Sequence, residues 1–133
     1  MISGITGAHW LIYSNDAEAD RAFFRDVLGF RAVDAGEGWL IFVLPPSEMG
    51  VHPGDGKFTL GHAGHHLTGA VLYLMCDDVE STVGELKGKG VEFTQPVNDT
   101  GWGRLTALKL PGGSELWLYQ PKHPSPLNPS RAS

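Results

Sequence analysis

The first half of the chain shows two hydrophobic periods, one typical of a strand and one typical of a helix. Residues 8–14 alternate, so that His9, Leu11 and Tyr13 share one face of a predicted strand. Capping side chains at 14–16 then precede apolar positions that recur at helical spacing. The predicted elements of this half are strands at about 7–14, 30–33, 39–44 and 49–52 and a helix that ends at about Leu28.

Residues 54–69 interrupt the pattern with five glycines and with His62, His65 and His66. We interpret this segment as a connecting loop, whose histidines are either solvated or able to reach a ligand site. The residues beyond Pro121 are rich in proline and serine, which predicts poor order. Between these segments the predicted elements are strands at 70–76, 91–97 and 102–110, a helix from Asp77 to about Lys87, a turn at 98–101, and a last strand that follows Pro111-Gly112-Gly113 and ends at Pro121.

The two halves repeat the order strand, helix, strand, strand, strand. Trp39 and Trp102, which each follow a glycine, occupy equivalent positions in this repeat. A βαβββ unit cannot bury its sheet alone, so two such modules are expected to pack side by side as one curved mixed sheet with a concave cleft. The prediction is an α+β fold in a single domain 1–133, with module one at about 7–53, the loop at 54–69, module two at about 70–121 and a flexible tail at 122–133.

Charge and composition narrow the class of protein. The formal net charge is −5, and no Lys/Arg cluster supplies the basic stripe that nucleic-acid binding needs. The longest apolar run, 39–46, is too short to span a bilayer, and we expect no leader sequence or lipid anchor. Cys76 is the single cysteine, which excludes an intramolecular disulfide. These features favour a cytoplasmic protein.

Several short motifs point to a known family. They are His9 in the first strand, Phe23-Phe24-Arg25-Asp26-Val27-Leu28-Gly29-Phe30, Cys76-Asp77-Asp78-Val79, Gly88-Lys89-Gly90-Val91 and Pro111-Gly112-Gly113. The chain resembles, over about residues 8–121, the superfamily of glyoxalases, bleomycin-resistance proteins and extradiol dioxygenases, the vicinal oxygen chelate proteins. This resemblance implies paired βαβββ modules, frequent homodimers and, in many members, a divalent metal in the cleft.

The resemblance also implies where metal ligands would lie. The four positions correspond to His9, Gly50, Val71 and Trp117, of which His9 alone carries a metal donor. A divalent ion takes three or more protein donors, so we expect no metal of the usual kind. A rearranged site would use His9 and His52. We further expect Trp117 to fill space left by its repeat partner, Gly50.

The cleft is instead expected to be aromatic. Trp39 and Trp102 would either belong to the core or, if they face the cleft, act as stacking platforms. Arg104 would anchor an anion in the cleft or, alternatively, form an ion pair at the sheet edge. The predicted ligand-binding residues, which share strand faces or equivalent positions in the repeat, are His9, Tyr13, Trp39, His52, Tyr73, Trp102, Arg104, Trp117 and Tyr119.

These residues support more than one function. The leading interpretation is a binder of a small planar or anionic molecule, of the bleomycin-resistance kind, without a cofactor. The alternative is a metal-dependent lyase or isomerase of the glyoxalase type, or a dioxygenase, with zinc, nickel or iron bound through His9 and His52. Whether the protein is an enzyme stays open. A homodimer and a small-molecule ligand are the expected partners, with neither nucleic acid nor membrane among them.

Overall fold

The computed structural model describes residues 4, 8–54 and 59–127. The described residues form two helices and eight short strands. In chain order these are α1 Ala17–Asp26, β1 Ala32–Asp34, β2 Leu40–Phe42, β3 Thr59–His62, β4 His65–Thr68, β5 Tyr73–Met75, α2 Val79–Gly88, β6 Asn98–Asp99, β7 Gly103–Lys109 and β8 Glu115–Pro121.

Both helices lie where the sequence predicts them, because each begins at an aspartate that caps its first turn. The side chain of Asp16 accepts a hydrogen bond from the Ala19 amide at 3.1 Å, and the side chain of Asp78 accepts one from the Ser81 amide at 3.3 Å. Helix α1 ends two residues before the predicted position, and Gly29 follows it with a positive φ of 76°.

Module two forms a four-stranded sheet in the order β5-β8-β7-β6. Strand β5 pairs parallel with β8, and the other two pairs are antiparallel, as a βαβββ unit requires. The strand predicted at 91–97 is reduced to one isolated bridge between Phe93 and Leu108. The pairing instead moves to β6, so the turn predicted at 98–101 is wrong for Asn98 and Asp99.

Module one is less regular within the described residues. Strands β1 and β2 form a separate antiparallel pair, while 8–14 and 49–52 join no hydrogen-bonded ladder, although both were predicted as strands. Residue 7, the start of the first predicted strand, lies outside the described residues. A strand exists only beside a partner, and these two segments have none within the described chain.

Two further expectations change. The segment expected to be a loop at 54–69 contains the hairpin β3–β4, in which His62 lies opposite His65 across a two-residue turn; residues 55–58 lie outside the described residues. Residues 122–127 of the segment expected to be a flexible tail are described, and Ser125 among them is buried. Residues 128–133 lie outside the description.

The core lies between the helices and one face of the module-two sheet. It is built from apolar side chains of both modules, so the two modules share it: Phe23, Phe24, Val79, Leu86, Val91, Leu108, Leu110, Leu116 and Leu118. Since this face is used for packing, only the opposite face of the sheet is free to bind a ligand. Neither of the described helices has the length and apolar content needed to cross a membrane.

Candidate functional site

The free face of the module-two sheet carries a cluster of aromatic rings. Alternation along β8 directs Leu116 and Leu118 into the core and leaves Trp117 and Tyr119 on the opposite face. Tyr73 of β5 lies beside Trp117 in the parallel ladder, and their rings stack with centroids 5.9 Å apart and planes inclined by 23°. We call Tyr73, Trp102, Trp117 and Tyr119 the aromatic cluster.

Tyr119 is the centre of this cluster. Its ring meets those of Tyr73 and Trp102 edge-on, each at a centroid distance of 5.5 Å. The ring lies against the backbone of β7, because a Cβ added at Gly103 would come within 2.5 Å of Tyr119 Cε2. Tyr119 is therefore a buried floor, whereas Tyr73 and Trp102 are 37% and 48% exposed. The exposed rings offer flat apolar surface to a ligand.

Polar groups from distant parts of the chain border the cluster. The Tyr119 hydroxyl contacts Nε2 of His123, whose Nδ1 lies 2.7 Å from the Pro124 carbonyl oxygen. Because a carbonyl oxygen can only accept, Nδ1 carries a proton; when the imidazole is neutral, Nε2 accepts the proton of the phenol. The carboxylate of Glu48 accepts a hydrogen bond from the Ser125 hydroxyl, and its other oxygen lies 3.6 Å from His123 Nε2.

The surroundings of Tyr119 also affect the pKa of its phenol. Burial raises the pKa of Tyr119, and the negative charges of Glu48 and of ionised Tyr73 raise it further. Tyr119 is thus held as a neutral hydrogen-bond donor. The predicted site did not include Glu48, His123 or Ser125, and the last two belong to the segment expected to be poorly ordered. A partial signal existed for Glu48, which aligns with Glu115 in the internal repeat.

Arg104 does not reach the cluster. Its guanidinium pairs with Glu80 of α2, so it lies on the helix side of the sheet. The ladder explains this, since Arg104 is opposite Gln120 on β8, and Gln120 accepts a hydrogen bond from the Val79 amide of α2. The prediction that Arg104 anchors an anion in the cleft is wrong. Its alternative, an ion pair, describes the contact with Glu80.

The candidates from module one lie apart from the cluster. Trp39 lies beneath Arg21, whose Cζ is 4.8 Å from the ring centroid, and lines an apolar groove of about 140 Å³ beside α1. Tyr13 hydrogen-bonds His62 Nδ1 at 3.0 Å. His52 Nδ1 lies 2.7 Å from the Pro53 carbonyl oxygen, and His9 is exposed. No described contact joins any of these four to the aromatic cluster.

The implied metal positions do not fit a metal. Gly50, Val71 and Trp117 supply no donor. Within residues 4, 8–54 and 59–127 no group of three or more His, Cys, Asp or Glu side chains is placed to hold an ion. The expectation that Trp117 fills the space left by Gly50 is wrong: a Cβ at Gly50 would meet no described atom within 4 Å, and Trp117 stacks on Tyr73 instead.

The βαβββ order of module two, the free face of its sheet and the positions of the sequence motifs together point to one family. The model of the glyoxalase/bleomycin resistance protein/dioxygenase superfamily matches residues 7–118, and the chain belongs to that superfamily. The α+β fold class and the resemblance seen in the sequence are thereby confirmed. No curated protein matches the chain.

Solved structures of this fold are similar to the chain over most of its length. TnmS3, an antibiotic binding protein from Streptomyces sp. CB03234, has a TM-score of 0.58 at 22% identity over 90% of this chain and 99% of its own. Lactoylglutathione lyase from Agrobacterium tumefaciens has a TM-score of 0.58 at 16% identity over 90% and 96%. A superfamily member from Sphaerobacter thermophilus DSM 20745 has a TM-score of 0.55 at 25% identity over 87% and 98%.

Proposed function

We propose that the protein binds a small planar molecule on the aromatic cluster and does so without a metal. The observation that carries this proposal is the stacked pair of the exposed Tyr73 and the half-buried Trp117 on one side of the sheet. Aromatic faces bind planar ligands by stacking, which adds roughly 0.5–1.5 kcal/mol per ring pair to the burial of apolar area.

The cluster is organised to hold its shape before a ligand arrives. Tyr119 is fixed by Trp102, Tyr73 and His123, so the floor of the site does not have to be ordered on binding. Fixed aromatic side chains cost little conformational entropy when a ligand binds, which favours affinity. An antibiotic binding protein among the similar structures is consistent with this class of function.

The alternative, a metal-dependent lyase, isomerase or dioxygenase, depends on His9 and His52. No contact in the described chain joins these two residues, and no third donor is placed with them. A lyase is among the similar structures, at 16% identity, which supports the shared fold only. These observations favour the metal-free binder over the metal-dependent alternative.

We also propose a homodimer. Strand β5 lies at one end of its sheet, and the apolar segments 8–14 and 49–52 lack ladder partners within the described chain. A second copy would cover the exposed side chain of Val71, beside β5. It would also cover the exposed apolar side chains of the two segments, which are Trp10, Leu11, Ile12, Met49 and Val51. The cytoplasm is the compartment that we propose, on the basis of the single cysteine.

A binding screen with a pair of matched variants tests the proposed function. Planar aromatic compounds are screened by thermal shift, and the best of them is titrated against the wild type, Trp117→Leu and Trp39→Leu. We expect Trp117→Leu to weaken binding about ten-fold and Trp39→Leu to leave it unchanged, because only Trp117 belongs to the cluster. Equal loss in both variants would contradict the assignment of the site.

Metal analysis separates the two functional classes. Protein purified without a histidine tag is assayed for zinc, nickel and iron, and we expect far less than one metal ion per chain. A stoichiometric metal whose content is lost in both His9→Ala and His52→Ala would replace the binder with the metal-dependent alternative.

A further inference from the structure

The charges around the aromatic cluster carry an inference about the ligand. The cation that was expected to face it, Arg104, is instead paired with Glu80 behind the sheet. Two further lysines on or next to the sheet strands pair with acidic side chains, Lys109 with Glu92 and Lys122 with Asp99. Each of these three cations is therefore already paired with a carboxylate in the described part of the chain.

The carboxylate at the border of the cluster is Glu48. Its side chain is 19% exposed, and its oxygens face the Ser125 hydroxyl and His123 Nε2. When the imidazole is neutral, Nε2 accepts the Tyr119 proton and has no N–H to offer Glu48. The hydroxyl of Ser125 orients the carboxylate but does not neutralise it. With the imidazole neutral, the negative charge of Glu48 thus stands beside the ring cluster, oriented by the Ser125 hydroxyl.

The rings reinforce this charge. The face of each aromatic ring carries the negative part of its quadrupole, and a cation placed over that face is attracted to it. A carboxylate nearby strengthens the same field, and the formal net charge of the chain is −5. Both contributions disfavour an anion and favour a planar ligand that carries a positive charge.

We propose that the ligand of the aromatic cluster is a planar organic cation, stacked on Tyr73, Trp102 and Trp117 with its charge directed toward Glu48. This inference rests on the proposed function and specifies the chemical class of its ligand. It replaces the expectation of an anionic ligand, which depended on Arg104.

Three probes with one ring frame test the charge preference. N-methylacridinium is a permanent cation, acridine is neutral at mildly alkaline pH, and acridine-9-carboxylate is an anion. Each is titrated into the wild-type protein, and binding is followed by quenching of tryptophan fluorescence. We expect N-methylacridinium to bind about ten-fold more tightly than acridine, and acridine-9-carboxylate to bind most weakly.

A variant then assigns the preference to one residue. Glu48→Gln should reduce the affinity for N-methylacridinium about ten-fold and leave that for acridine nearly unchanged. Glu92→Gln removes the same unit of charge beside Lys109, at the end of the β7–β8 ladder remote from Pro121, and should change neither. Near-ultraviolet circular dichroism of both variants reports whether the aromatic packing is intact. The comparison of the three probes on the wild-type protein tests the charge preference without any variant.

The outcomes separate this inference from the function on which it rests. If none of the probes binds, the proposed function itself fails. If all three bind with equal affinity, or if the carboxylate binds best, the site stays a planar-ligand site and the cationic class is wrong. If the cation is preferred but Glu92→Gln weakens it as much as Glu48→Gln does, the preference arises from net charge and the role of Glu48 is wrong.

Discussion

Asp20 of α1 accepts a hydrogen bond from the backbone amide of Gly112 at 2.7 Å, across 92 positions of sequence. This contact fastens the helix of module one to the Pro-Gly-Gly turn that precedes the last strand of module two. Asp20 is 3% exposed, and its second oxygen, Oδ2, has no hydrogen-bond partner among the described residues. The two modules are thus joined by a buried carboxylate as well as by the shared apolar core, and the turn that it holds positions β8 and the aromatic cluster.

Adding a methyl group at Gly112 should disrupt this junction. A Cβ there would lie 2.5 Å from Ser14 Oγ, 2.8 Å from Asp20 Oδ2 and 3.3 Å from the Asp16 amide nitrogen. We expect Gly112→Ala to lower the free energy of unfolding by about 1–3 kcal/mol. Urea denaturation measures this, with Gly84→Ala as the control. Gly84 lies in α2 with open space around its Cβ position, so that substitution should be neutral or stabilising by up to about 1 kcal/mol. Equal stability of the two variants would contradict the junction.

The single thiol should react slowly in the folded protein. Burial raises the pKa of Cys76, the charge of Asp78 adds to this, and hydrogen bonds to Thr82 and to the Tyr119 carbonyl partly oppose it. Since the thiolate is the reactive form, Cys76 should react with Ellman's reagent at mildly alkaline pH much more slowly than glutathione does. Unfolding in urea should restore the rate of a free thiol. A native rate equal to that of glutathione would show that Cys76 is neither buried nor perturbed.

The phenol of Tyr119 gives a direct report on Glu48. Its pKa lies above the ordinary value of about 10, so the folded chain binds this proton more tightly than the unfolded chain. The corresponding stability is present below pH ~10 and is lost as the pH rises through the folded-state pKa. Phenolate absorbance, assigned with Tyr119→Phe, measures the titration. We expect Glu48→Gln to lower this pKa only part of the way, because burial is the larger cause and remains. An unchanged pKa would place Glu48 far from the phenol.

Removing the Arg104 side chain should affect stability slightly and ligand binding not at all. Its ion pair with Glu80 is half-exposed, and such pairs contribute at most about 1 kcal/mol. Arg104→Gln should therefore lower the free energy of unfolding by less than that amount, and titration with N-methylacridinium should give the wild-type affinity. A large loss of binding would return Arg104 to the ligand site.

The sequence predicted both helices and the last two strands well because local signals determine them. Asp16 and Asp78 cap α1 and α2, and the alternation along β8 correctly separates Leu116 and Leu118 from Trp117 and Tyr119. The strands of module one were harder, because a strand at 8–14 or 49–52 needs a partner that periodicity does not provide. The hairpin at 59–68 was missed because glycine and histidine gave it no apolar alternation.

The site was predicted in part for a similar reason. Tyr73, Trp102, Trp117 and Tyr119 come together because neighbouring strands of one sheet carry them, and the repeat pointed to those strands. Arg104 was predicted on the wrong face because it was assigned to the same strand face as Trp102. Trp102 instead precedes β7, and its ring turns toward Tyr119. Glu48 and His123 meet through long-range packing, which no short-range pattern encodes.

The four tryptophans of the chain allow the position of the ligand site to be tested in one spectrum. Trp102 and Trp117 belong to the aromatic cluster, whereas Trp10 and Trp39 line the groove beside α1. The four indole N–H resonances of ¹⁵N-labelled protein, assigned with single Trp→Phe variants, are followed during titration with N-methylacridinium. We predict saturable shifts of the Trp102 and Trp117 resonances, with those of Trp10 and Trp39 unchanged. Saturable shifts confined to Trp10 and Trp39 would place the ligand site beside α1 instead of on the aromatic cluster.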